Sequence, residues 1–211
     1  MLADIIVVPD SWLGPVLTTI TVGLYGVLHS LLAAPRVKAA ANHAFGLTAT
    51  RYYRIVYNIL GGLTFLPVLV IVARYPGNTL YQIPWPWSVI SLLGQFAAAI
   101  LLVVGLWQSD ALQFLGLRQW IEGENEGNGK LSVRGLYGWV RHPLYTAGLL
   151  FIWLTPVMTT SMLLLNLSLT LYLYIGSVFE EQRLVDEFGD DYIKYQQAVP
   201  RLIPRPPRRS S

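Results

Sequence analysis

Long apolar runs separated by short polar stretches set the pattern of this chain. Five runs, at about 15–34, 55–73, 88–107, 143–158 and 161–178, are apolar over most of their length. A helix needs about 20 apolar residues to cross about 30 Å of hydrocarbon, so most of the runs suffice and the fourth is short. None shows the polar stripe at a 3.6-residue period that marks a surface helix of a soluble protein. The pattern predicts an all-α integral membrane protein with about five transmembrane helices. Only the residues around Thr159 and Thr160 part the last two runs, which predicts a tight C-terminal helical hairpin. Thr146, Ala147, Gly148, Thr170 and Gly176 would form its contact faces, because small residues let membrane helices approach closely.

Composition argues against the alternative of buried helices in a soluble protein. The chain is 54% hydrophobic and 13% charged, where soluble domains carry about 25% charged residues. Its 211 residues suit one membrane domain. Within it, 1–107 would hold three spans, 108–136 a cytoplasmic connection, 137–204 a hairpin with an interfacial helix, and 205–211 a basic tail. Residues 1–13 contain Asp4 and Asp10 and no basic side chain, the wrong charge for a cleavable signal.

Charge orients the bundle. With five spans, Arg36, Lys38, Arg51, Arg54, Arg118, Lys130, Arg134, Arg141, Arg183, Lys194, Arg201, Arg205, Arg208 and Arg209 fall on one side and only Arg74 on the other. The positive-inside rule then places the N-terminus outside and the C-terminus in the cytoplasm, as expected for a bacterial inner membrane protein. The net charge of +3 is this bias plus a tail suited to anionic membrane lipid, with no nucleic-acid partner implied. Cysteine is absent and the only histidines are His29, His43 and His142. Thiolate catalysis is excluded, and a multi-histidine iron or haem site is hard to build, so no metal site is expected.

Candidate chemistry gathers in the C-terminal third. The Gly/Asn/Glu run of 122–130 reads as a solvated loop whose glycines also suit a lid. It leads to Tyr137-Gly-Trp-Val-Arg141-His142-Pro143-Leu144-Tyr145. Arg and His at the start of a span are costly without partners, and Pro143 fits a first helical turn. Glu180 and Glu181 close the fifth run, and a hairpin would bring them to the depth of Arg141 and His142. Beyond them, an interfacial helix broken near Gly189 carries Val185, Phe188, Tyr192 and Tyr195 as an apolar stripe.

These residues form an ordered signature: Gly135-Leu-Tyr-x-x-x-Arg-His-Pro-x-Tyr145, Glu180-Glu181-x-x-Leu184, Phe188-Gly-x-x-Tyr192-x-x-Tyr195, then Val199-Pro200 and Ile203-Pro204. Over about 130–204 it resembles the isoprenylcysteine carboxyl methyltransferase and phospholipid methyltransferase superfamily. His29-Ser30, Phe114-Leu-Gly-Leu-Arg-Gln119 and Trp153-Leu-Thr-Pro-Val-Met-Thr159 look similar to methanethiol S-methyltransferases and to membrane proteins of denitrification clusters; Ser161 departs from the thiol enzymes. The resemblance implies an S-adenosylmethionine-dependent membrane methyltransferase with a cytoplasmic cofactor pocket. Lys130, Leu131, Ser132, Tyr137, Arg141, His142, Pro143, Leu144, Tyr145, Glu180 and Glu181 would bind the cofactor. The acceptor would be small or lipophilic, a thiol first. His29 is the candidate catalytic group for deprotonating it, and Arg118 and Gln119 would line the substrate entrance. Two other classes stay open: a nicotinamide-dependent membrane reductase of related topology, and a non-catalytic accessory membrane protein.

Overall fold

A computed structural model describes residues 12–109, 111–122 and 131–204. The chain divides into two compact units. The first comprises Met1–Pro84, Leu112–Glu126 and Pro156–Leu169; the second comprises Trp85–Ala111, Gly127–Thr155 and Thr170–Ser211.

In the first unit, α1 (Leu13–Ala33) packs on α3 (Leu47–Arg74), and the short α2 (Pro35–Phe45) joins them. Pro35 opens α2, where its missing N–H is no loss. Val68, Val72 and Leu165 form the core, with Val22, Tyr25, Phe65, Met162 and Leu169 against it. The contact is close at Gly14, where a Cβ would sit 2.1 Å from the Tyr75 carbonyl oxygen. That oxygen accepts a hydrogen bond from Ser161 Oγ at 2.6 Å. The unit also holds most of the third connection, as α5 (Ala111–Leu115) and α6 (Leu117–Glu122). Arg51 Nε donates to the Trp120 carbonyl at 2.6 Å and Asn58 Nδ2 to that of Leu115 at 3.1 Å, tying the segment to α3. A two-stranded antiparallel sheet completes the unit. It pairs β1 (Thr79–Gln82) with β2 (Val157–Thr159), with Thr79 opposite Thr159 and Gln82 opposite Val157.

In the second unit, α4 (Trp87–Gln108) packs against α7 (Pro143–Trp153), where Gly94 meets Leu154 and Gly105 meets Leu144. A 3₁₀ turn at Gly135–Gly138 precedes α7. Gly135 has φ +61°, and a Cβ there would lie 2.6 Å from Gln108 Oε1. The same oxygen accepts the Leu136 N–H at 2.9 Å. The left-handed φ favours glycine there, and a Cβ would also disturb the Gln108 amide that holds the turn.

Among the described residues, four helices are long and apolar enough to cross a membrane: Leu13–Ala33, Arg51–Arg74, Trp87–Gln108 and Thr160–Phe188. The fourth of the five expected spans is shorter, because its helix is only the 11 residues of α7, about 16 Å of rise. Pro156 has no N–H to give a longer helix, and the chain turns into β2. A second difference concerns the interfacial helix expected from Phe179. Instead α8 (Thr160–Phe188) runs unbroken for 29 residues, since Glu-Glu-Gln-Arg-Leu holds neither Gly nor Pro. The break falls at Gly189, φ +56°, before α9 (Asp190–Ala198). Ala147 is buried and Thr170 Oγ1 accepts the Trp153 indole N–H at 2.9 Å. Gly148 and Gly176, however, would meet nothing within 4 Å on gaining a Cβ. Leu24, Val27, Leu63, Phe96, Val103 and Leu171 are exposed, which in a chain of this composition is a lipid-facing surface.

Candidate functional site

The site is built in the second unit, where the chain enters α7. His142 caps the helix and Pro143 takes its first turn. The C-terminal segment is strapped to this entry. The Arg141 and His142 N–H groups donate to the carbonyls of Pro200 and Arg201 at 2.9 and 3.1 Å. Thr146 Oγ1 donates to the Leu202 carbonyl at 2.7 Å, and Tyr195 Oη to that of Tyr137 at 2.6 Å. Tyr192 and Tyr195, on α9, are buried beneath the strap, and burial pushes the Tyr192 phenol up to about 12.

Glu181, near the end of α8, is the hub, with a side chain only 4% exposed. Its Oε1 accepts Arg141 Nε and Nη2, both at 2.7 Å, and lies 3.2 Å from His142 Nε2. Its Oε2 accepts Arg201 Nε and Nη2 at 3.1 and 2.8 Å and Gln196 Nε2 at 3.2 Å. Arg141 is committed to the protein as well, since its Nη1 donates to the Gln196 carbonyl at 2.9 Å and to the Val199 carbonyl. A buried carboxylate so surrounded keeps its charge and fixes its neighbours.

Glu180 differs, with its side chain 35% exposed. Its Oε2 accepts the Tyr145 hydroxyl at 2.8 Å and lies 3.6 Å from His142 Nδ1. Among the described residues its Oε1 accepts no hydrogen bond. Burial pushes the His142 imidazole below its ordinary range, against the pull of the Glu180 and Glu181 charges. At neutral pH the ring is therefore uncharged. The Glu181 carboxylate, an acceptor only, selects the tautomer with the proton on Nε2. Nδ1 is then an acceptor facing a second acceptor, Glu180 Oε2. Two acceptors with an open carboxylate oxygen beside them suit a cation that carries N–H groups. The His142 and Tyr145 rings stack at 5.2 Å and 7° next to them. Tyr137 lies near enough for the Glu180 charge to help burial raise its phenol.

The structure thus brings together Tyr137, Arg141, His142, Pro143, Leu144, Tyr145, Glu180 and Glu181. Leu131, half-buried, and Ser132, exposed, lie just before the 3₁₀ turn; Lys130 lies outside the described residues. His29 and Arg118 belong to the first unit. His29 Nε2 shares a 2.6 Å hydrogen bond with the Tyr57 hydroxyl, and its ring stacks on Tyr25 at 5.3 Å. Gly61 leaves the ring its room, as a Cβ there would lie 3.1 Å from Cε1. Arg118 is exposed on α6, and the Gln119 side chain lies outside the described residues. Among the described residues no group of His, Asp and Glu is arranged to hold a metal ion. Sequence reasoning missed Arg201, Gln196 and Tyr57. Arg201 stood between Val199-Pro200 and Ile203-Pro204 yet counted only as charge, and nothing in local spacing pairs Tyr57 with His29.

Helices of membrane-spanning length, with a buried polar cluster at the entry to the shorter apolar helix α7, define a polytopic membrane protein. Residues 93–191 match the phospholipid methyltransferase family, and the chain belongs to it. It is 30% identical over 193 residues to a methanethiol S-methyltransferase of Crocosphaera subtropica, covering 86% of this chain and 71% of that one. It is 28% identical over 193 residues to methanethiol S-methyltransferase 1 of Bradyrhizobium diazoefficiens, covering 90% of this chain and 66% of that one. A Mycobacterium tuberculosis methanethiol S-methyltransferase is 39% identical over 75 residues, 36% of this chain and 31% of that one. The chain thus spans about two thirds of the length of the first two relatives. No solved structure matches it. Family and relatives together support a membrane methyltransferase.

Proposed function

We propose that the chain is an S-adenosylmethionine-dependent methyltransferase that methylates a small lipophilic thiol, with methanethiol the first to try. One observation carries the reading. Glu180 Oε2 and His142 Nδ1, 3.6 Å apart, form an acceptor pair beside an open carboxylate oxygen and a stacked aromatic face. S-adenosylmethionine offers an ammonium to the acceptors and a cationic sulfur to the carboxylate and rings. Bound there, it would supply a methyl group for in-line transfer to the thiol sulfur, its own sulfur–methyl bond breaking to leave S-adenosylhomocysteine.

The rest of the work belongs to the chain. Glu180 binds the ammonium, and the Tyr145 hydroxyl holds that carboxylate in one rotamer. Leu131, Ser132, Tyr137, Pro143 and Leu144 frame the donor, and Lys130 is assigned to it as well. Arg141 and Glu181 act from behind the site. The thiol must lose its proton to attack, and His29, hydrogen-bonded to Tyr57, is the base we assign to that step. Arg118 and Gln119 are the residues we assign to acceptor entry. Holding the reactants together and keeping water out supply most of the acceleration.

We place the site at the cytoplasmic face, where the donor is found. Two features support this topology. Among the connections it would put outside, Arg74 is the only basic residue. The β1–β2 pairing joins the α3–α4 connection to the α7–α8 connection, so both belong on one side of the membrane. One crossing by α4 between them requires a second by 143–156, which supports a fifth crossing despite the short α7.

The test uses the purified full chain in lipid, with methyl-labelled S-adenosylmethionine and short alkyl thiols. Label in the thioether, lost in Glu180→Ala and reduced about 10²-fold or more in His29→Gln, supports the proposal. No labelled thioether with any thiol, while the donor binds, overturns the acceptor assignment.

A further inference from the structure

Arg201 is conspicuous among the groups that the proposed reaction leaves unused. Its side chain is 30% exposed, yet both Nε and Nη2 are spent on Glu181 Oε2, at 3.1 and 2.8 Å. Its guanidinium lies 5.8 Å from the centre of the Tyr174 ring, a cation–π distance that holds it over α8. Its own carbonyl accepts the His142 N–H. Arg201 thus grips both ends of one relay: the backbone of His142, and the carboxylate that selects the His142 tautomer.

We infer that Arg201 is a positioning residue for the methyl-donor site, acting through Glu181 to keep His142 protonated on Nε2 and so present Nδ1, beside Glu180, to the donor's ammonium. The inference rests on the donor reading above and extends it to a residue that touches no ligand. The charged groups facing His142 are Glu180 and Glu181 from α8, Arg141 beside it and, behind Glu181, Arg201. Without Arg201, Glu181 loses two donors and a neutralising charge. It then pulls harder on the imidazole proton, so His142 charges at a higher pH and repels the ammonium.

The experiment is calorimetric titration of the detergent-purified full chain with S-adenosylhomocysteine between pH 5 and 8. Wild type is compared with Arg201→Ala, Arg201→Lys and Lys194→Ala. The last removes a cation of α9 that is paired, among the described residues, with the exposed Asp191. Arg201→Ala is expected to weaken binding about tenfold at pH 7 and to move the acid loss of binding to higher pH. Arg201→Lys restores most of both, and Lys194→Ala changes neither. Wild-type affinity and pH dependence in Arg201→Ala overturn the inference and leave the donor reading standing. Weakened binding with an unmoved pH profile that Arg201→Lys does not restore makes Arg201 a packing residue and also overturns it. A folded wild type that binds no S-adenosylhomocysteine overturns both.

Discussion

At the scale of single residues, the adjacent glutamates have opposite environments and should fail differently. Glu181 is buried among two arginines, a histidine and a glutamine. Glu181→Gln should cost about 3 kcal/mol of stability, because two guanidinium groups are left without their counter-charge. Glu180→Gln should leave the unfolding midpoint nearly unchanged and abolish donor binding. Thermal unfolding in detergent beside a binding titration separates the two. His142 gives a pH prediction. Its folded pKa is depressed, so the unfolded chain binds more protons in mildly acidic solution and stability rises with pH there. The contribution is fully present above about pH 6.5 and is lost as the pH falls through the lower folded value. Unfolding midpoints recorded from pH 7.5 to 5 should show the loss, and His142→Gln should flatten that part of the curve. The Arg-His-Pro and Glu-Glu motifs named these residues from sequence. Motif spacing could not say which glutamate is buried, since both stand at the end of the same helix and only the strap of 199–202 distinguishes them.

At the scale of elements, helix packing is tight in one place where the pattern suggested nothing and loose where small residues suggested closeness. At Gly14 a Cβ would collide with the Tyr75 carbonyl, which is backbone and cannot swing away. Gly14→Ala should therefore destabilise by about 2 kcal/mol. Gly148→Ala meets nothing within 4 Å and should be neutral or stabilising by up to about 1 kcal/mol through helix propensity. Unfolding midpoints measured side by side give the ranking, and the reverse order would contradict this packing. The long apolar runs and the break at Gly189 could be read from the chain because hydropathy and a left-handed glycine are local properties. The extent of α8 and the early end of α7 could not. The one depends on strong helix formers continuing through charged residues 180–183, and the other on β2 recruiting 157–159 into a sheet with a strand some 75 residues earlier.

For the whole molecule, the absence of cysteine makes topology directly measurable. Single cysteines at Tyr81 and Val157, partners across or beside the β1–β2 register, should both react with an impermeant thiol reagent on intact cells. Cysteines at Lys38 and Lys194 should react only after the membrane is opened. Protection of Val157→Cys alone would make 143–156 a re-entrant segment rather than a fifth crossing. The orientation these cysteines test comes from sequence alone, from the side on which basic residues gather. The division into two units could not, because it depends on where 111–122 docks, and Arg51 and Asn58 make that contact across about 60 residues of chain. The central claim is that the entry to α7 holds a methyl donor through Glu180. It is tested most directly by titrating the folded, detergent-purified chain and its Glu180→Ala variant with S-adenosylhomocysteine. Saturable binding by the wild type that disappears in an equally stable variant is the predicted result. A folded wild type that takes up no S-adenosylhomocysteine, or a variant that binds as tightly as the wild type, would contradict it.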